Sequence, residues 1–135
     1  MPTRLVSTLV LVGVLCGCSF GKASFSLPDR SDPVVKQEEV RIALALAADT
    51  SGELLSQPLP GPAHCRVRLL RQVGTADYVY AECTAGQSGF SFPLKLDGSS
   101  VTVPRDGSEY APSIRRIFPS DIAAALIEDE QRYKP

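Results

Sequence analysis

Polar and apolar positions alternate with different periods in different parts of this chain. Leu5 to Leu15 is an apolar run of about ten residues, broken only by Ser7, Thr8 and Gly13. That is too short to span a bilayer as a helix, which takes roughly 20 apolar residues. After a polar stretch, apolar side chains recur at three- and four-residue spacing. Asp32 is suited to capping a helix and Pro33 to its first position, where a missing N–H costs nothing. The spacing predicts a helix from about Pro33 to Ala48, with Val40, Leu44 and Ala47 facing inward and Ile42 and Leu46 widening that face. Gln57 to Pro62, with three prolines and a glycine, reads as an irregular connector.

From His64 the period falls to two. His64 to Val73 and Ala76 to Thr84 read as two strands of a hairpin, joined by a loop of about Gln72 to Ala76 in which Gly74 is free to take positive φ. If Cys65 lies opposite Cys83, then Val67 faces Ala81, Leu69 faces Val79 and Arg71 faces Asp77 on one side. On the other, Arg66 faces Glu82, Arg68 faces Tyr80 and Leu70 faces Tyr78. A shift of one residue would destroy this sorting, so the register and a Cys65–Cys83 disulfide support each other. Gly89 to Leu96 alternates again, with Phe90, Phe92, Leu94 and Leu96 on one face. Asp97-Gly98 then signals a tight turn that pairs Leu94 with Val101 and Phe92 with Val103. Pro93 cannot donate to a ladder, and Pro104 ends the fourth strand.

Arg105 to Tyr110 is a polar turn, expected to be ordered and to dock the last helix. Pro112 or Ser113 opens a short helical turn that Pro119 breaks. Ser120 and Asp121 cap a second helix, about Ser120 to Gln131, whose acidic end (Glu128, Asp129, Glu130) opposes the macrodipole and is expected to fray. The fold class is therefore α+β: an N-terminal helix, a four-stranded antiparallel meander sheet and a C-terminal helix, with the helices on one sheet face.

The four cysteines sharpen this picture. Leu15-Cys16-Gly17-Cys18 closes the apolar run with an aliphatic residue, two small ones and a cysteine, after a positive start at Arg4. This resembles the lipobox of bacterial lipoproteins, and the resemblance implies that Cys18 is lipidated and becomes the first mature residue. It also implies a diacylglyceryl anchor in the cell membrane on its extracytoplasmic face, since two acyl chains hold a protein durably. Residues 1–17 are then a signal peptide, 18–30 a tether, and 31–135 one domain. Cys65 and Cys83 remain in an oxidising compartment, where a leftover pair reads first as a disulfide. Pro104 to Pro119, with the preceding Tyr78 to Cys83 pattern, resembles a segment of small exported proteins and lipoproteins of actinobacteria. That family brings location and fold but no catalytic residues.

The formal net charge of −1 lacks the concentrated basic face of a nucleic-acid binder. The single His64 sits beside Cys65, but neighbouring strand residues point to opposite faces and cannot form a dyad; no metal site or cofactor is expected. Arg66, Arg68, Tyr78 and Tyr80, with Arg105 and Arg115, form a candidate binding face, because Tyr and Arg are interface residues and Arg suits bidentate contacts with anions. The alternative for Arg105 and Arg115 is an ion pair with Asp106 or Glu109. The sequence thus points to a non-catalytic, lipid-anchored binding or assembly module with an unknown envelope protein as partner. The alternative is a small NTF2-like enzyme or ligand-binding domain with a cleft between sheet and helix.

Overall fold

A computed structural model describes residues 24–49 and 62–135. The expected signal peptide, Cys18 and the Gln57 to Gly61 part of the connector lie outside the described residues. The chain forms α1 (Pro33–Ala47), then β1 (His64–Val73), β2 (Ala76–Ala85), β3 (Ser88–Asp97) and β4 (Ser100–Thr102), then α2 (Tyr110–Ile117) and α3 (Ser120–Asp129). The sheet is antiparallel in the order β1-β2-β3-β4, the expected meander.

Three turns of two residues link the strands, with Gly74, Gly86 and Gly98 leading them at φ 59°, 61° and 61°. Among the described residues no other residue type has positive φ. Positive φ at the first loop position alone is the type II′ pattern, whose twist matches that of paired strands.

The first of these turns explains a departure from the expected register. Cys65 pairs with Cys83 and Leu69 with Val79, as the sequence indicates. The tight turn, however, sets Val73 opposite Ala76. β1 thus has one residue more than β2 between the disulfide and the turn. A bulge between Leu69 and Arg71 absorbs it. Arg71 therefore pairs with Tyr78 and Gln72 with Asp77, not Arg71 with Asp77. At the third turn the loop is Gly98-Ser99, so Val101 lies opposite Leu96 rather than Leu94. β4 is short, and Pro93 lies just past its end, where a missing N–H costs no ladder bond.

The helices lie on both faces of the sheet, which corrects the expectation of one. α1 packs Ile42 and Leu46 over Val67, Leu69, Val79, Ala81 and Leu94. α2 and α3 pack Ile114, Phe118, Ile122 and Leu126 over Leu70 and Tyr80 on the opposite face. That second face looked polar because Arg66, Arg68 and Glu82 lie on it, yet Leu70, Tyr78 and Tyr80 supply enough apolar surface for two helices. The inward face of α1 also differs from expectation. Val40 and Leu44 are 57% and 65% exposed, whereas Ile42 and Leu46 are fully buried. The cause is Glu39: its carboxylate accepts the backbone N–H of Leu69 at 2.8 Å. This holds Glu39 at the outer edge of β1 and turns Val40 and Leu44, on the far side of the helix, to solvent. Arg30 completes the arrangement, bonding Glu39 at 3.1 Å and the Val67 carbonyl at 3.0 Å. The open edge of β1 is covered by side chains.

Residues 24–30, within the segment 18–30 expected to be tether, contribute to the core. Phe25 and Leu27 pack against the second core, and Phe25 stacks on Tyr133 with ring centroids 5.0 Å apart. Asp32 caps α1 as expected, accepting from Val34 N–H at 2.8 Å. At the other end of the chain, a 3-10 turn (Gly107–Glu109) leads into α2 before Pro112, so that helix starts earlier than expected. A second 3-10 turn, Glu130–Tyr133, follows α3. That end is anchored rather than frayed, because Tyr133 is buried and Glu130 is bonded.

Candidate functional site

The described residues place the candidate groups in three clusters. The first is the disulfide. Cys65 and Cys83 are bonded, with Cα atoms 4.1 Å apart, as the hairpin register predicts. His64 is exposed at the neighbouring position, opposite Thr84.

The second cluster is a carboxylate held between tyrosines. Tyr80, fully buried on β2, donates its hydroxyl to Glu130 Oε1 at 2.5 Å. Tyr110, at the start of α2, donates to Glu130 Oε2. Ser91 donates to the Tyr80 oxygen at 3.4 Å. Burial, then the bond to Glu130, pushes both phenols well above their ordinary range. Two phenols held neutral on one carboxylate form a clamp that joins sheet, α2 and the C-terminal turn. Sequence reading missed Glu130 here because its partners lie 50 and 20 positions away.

The third is a groove of about 500 Å³ on the outer surface of the C-terminal helices, lined by Arg115, Ser120, Ala123, Ala124, Ile127 and Glu128. It has an apolar floor of alanines and Ile127 beneath one basic and one acidic residue. A groove of this kind suits an apolar side chain or short segment with a polar end.

The expected binding face does not form one surface. Tyr80 and Tyr78 lie under the C-terminal helices, with Tyr78 packed on Phe118 at 5.6 Å between ring centroids. Arg66 pairs with Glu82 across the hairpin. Arg68 is partly buried, which together with Arg30 lowers the proton affinity of its guanidinium. Arg105 is exposed, and its backbone N–H donates to Ser113 Oγ at 2.9 Å. No ion pair joins Arg105 or Arg115 to Asp106 or Glu109 among the described residues; the turn docks through Ser113 and Tyr110. Arg115, of the expected set, lines the groove.

Asp77, 4% exposed, accepts from Arg41 and from Gln72, each at 2.8 Å. Burial raises its proton affinity despite both donors. Arg71 clasps Asp121 with two bonds of 3.0 and 2.6 Å and holds that carboxyl below its usual range. Among the described residues no three His, Cys, Asp or Glu side chains come together as metal ligands. No described helix is long and apolar enough to cross a membrane.

The architecture is that of an α+β protein with one antiparallel sheet between α1 and the C-terminal helices. No family model matches the chain. It is similar to the formamidopyrimidine-DNA glycosylases of Mycobacterium sp. strain KMS and Mycobacterium sp. strain MCS. Each is 30% identical over 79 residues, which is 58% of this chain and 27% of the relative. The chain thus spans about a quarter of the length of the curated relatives it matches. No solved structure matches.

Proposed function

We propose that this chain is a lipid-anchored protein of the cell envelope, held at the extracytoplasmic face of the membrane through Cys18, and that its domain is a non-catalytic binding or assembly module. The observation that carries the reading is the Cys65–Cys83 disulfide. Such bonds persist in oxidising compartments, where a lipobox-like signal would deliver the chain. The ionisable groups fit a binding role, because buried Asp77 is spent on Arg41 and Gln72, and half-buried Glu130 on two tyrosines. Leu70, Tyr80 and Ile122 pack together between the sheet and the C-terminal helices, which weighs against a cleft between sheet and helix there. The groove beside Arg115 is the surface offered to an envelope protein partner.

DNA glycosylase activity is that of the relatives and is not part of the proposal. The match covers about a quarter of their length, and a formal net charge of −1 lacks the basic footprint of a duplex binder.

Fractionation tests the proposal. Native protein should pellet with membranes, and Cys18→Ser should release it or leave the precursor unprocessed. Soluble native protein would refute it. For the groove, Ala124→Arg should abolish crosslinking to the partner without unfolding the domain; undiminished crosslinking would remove the groove from the account.

A further inference from the structure

We infer that the outer edge of β3 is an interface between two copies of this chain, paired antiparallel with itself about a two-fold axis at Phe90. The two edges of the sheet differ. On β1 the Leu69 N–H is taken by Glu39 and the Val67 carbonyl by Arg30, and a bulge interrupts the ladder beyond them. On the other side, β4 pairs with β3 only from Lys95 to Asp97. Among the described residues no strand pairs with that side of β3 between Ser88 and Leu94. The turns at both ends of β3 decide which groups point outward. Each two-residue loop is closed by a hydrogen-bonded pair, Ala85 with Ser88 and Asp97 with Ser100. Alternation from either end then turns the backbone groups of Gly89, Ser91 and Pro93 away from β2. Gly89 and Ser91 are exposed and each offers an N–H and a C=O, whereas Pro93 offers a carbonyl alone. A row of such groups is satisfied by another extended backbone.

The residues of the edge select a second copy as that strand. With Phe90 on the axis, Gly89 lies opposite Ser91 of the second copy, and Ser91 opposite its Gly89. Each of these pairs exchanges both N–H···O=C bonds, and Pro93, which could not, falls outside them. Phe90 meets Phe90 of the second copy at the closer, non-hydrogen-bonded spacing. It does so on the face where it already stacks on Phe92, with ring centroids 4.4 Å apart. On the other face Gly89 and Ser91 bring little bulk. Ser88 to Phe92 carries no charge, so the pairing opposes no like charges, and no Lys, Glu or Pro blunts this part of the edge. The helices leave the approach open: α1 lies over β1, and the second core takes its strand residues, Leu70, Tyr78 and Tyr80, from β1 and β2. A strand pair of this length buries less than the roughly 800 Å² per partner of a stable dimer, so half-association is expected near about 100 μM. The edge is separate from the groove beside Arg115, and the pairing does not depend on lipidation of Cys18.

Sedimentation equilibrium of the full-length protein in density-matched detergent tests the pairing. The expected result is monomer at about 1 μM and dimer at about 1 mM. Ser91→Pro removes an outward N–H without touching a bond to β2, and should weaken association at least about tenfold at unchanged Tm. Oxidation of Phe90→Cys should give a disulfide-linked dimer well above the level of the unsubstituted chain. Ser88→Cys should not, because its two copies would lie about 14 Å apart along the paired strands. Monomer at every concentration overturns the proposal, as does a dimer that folded Ser91→Pro leaves intact. Should Ser91→Pro fail to fold, the ranking of the two cysteine variants decides: crosslinking at position 88 equal to that at position 90 overturns the pairing.

Discussion

Glu130 carries more of the C-terminal architecture than any other single side chain. It takes hydroxyl donors from Tyr80 at 2.5 Å and from Tyr110, one on the sheet and one on α2. Replacing it by glutamine removes the charge from both bonds and leaves at most one good acceptor. Glu130→Gln should lower unfolding free energy by about 1–3 kcal/mol in a urea titration, because a buried hydroxyl loses its charged partner. The tyrosines give a pH signature. Both phenols ionise above their ordinary 10.0 in the fold, so the native state keeps protons that the unfolded chain loses. Their contribution is fully present below pH 10 and is lost as pH rises beyond it. Tyrosinate absorbance should therefore show two groups that titrate only as the protein unfolds in alkali, and Tyr80→Phe with Tyr110→Phe should remove them. Titration of all four tyrosines near pH 10 would count against the clamp. In the sequence, Glu130 stands beside Glu128 and Asp129 at a helix end, the setting of a solvated cluster. Nothing local distinguishes it, because only the folded chain brings the tyrosines to it.

At the scale of elements, local chemistry made the strands and most helix boundaries legible. Asp32 and Pro33 start α1, alternation marks β1 to β3, and Pro119 divides α2 from α3. What a helix faces was not legible, because apolar residues surround α1. Val40 and Leu44 have the same spacing as Ile42 and Leu46, and a single contact from Glu39 to the Leu69 N–H decides between them. Leu46→Ala should therefore cost about 2–5 kcal/mol in equilibrium unfolding, and Leu44→Ala less than about 0.5 kcal/mol. The reverse ranking would mean that α1 is turned about its axis. The bulge in β1 was hidden for a related reason. The disulfide and the Gly74 turn each fix a register, and only their combination reveals the extra residue. The turns themselves carry a signal that went unread: Gly74, Gly86 and Gly98 recur every twelve residues, the repeat of a regular meander.

For the whole molecule, the sheet lies between two helical layers, and one covalent bond ties its first hairpin. The bond closes a loop with a sequence separation of 18. A loop of that size is worth on the order of 3 kcal/mol in the chain-entropy model. Reduction should lower Tm by roughly 10–25 °C for a domain of this size, measured by circular dichroism with and without reductant. It should leave the anchor intact. The covering of the expected binding face is not legible at this scale, because the helices over Tyr78 and Tyr80 follow them by thirty residues or more. The central claim, an exported domain anchored through Cys18, is tested most directly by the intact mass of the protein extracted from native membranes. The account predicts a chain that begins at Cys18, carries a diacylglyceryl group there, and lacks two hydrogens for the Cys65–Cys83 bond. An unmodified Cys18, or a chain that begins elsewhere, would contradict it.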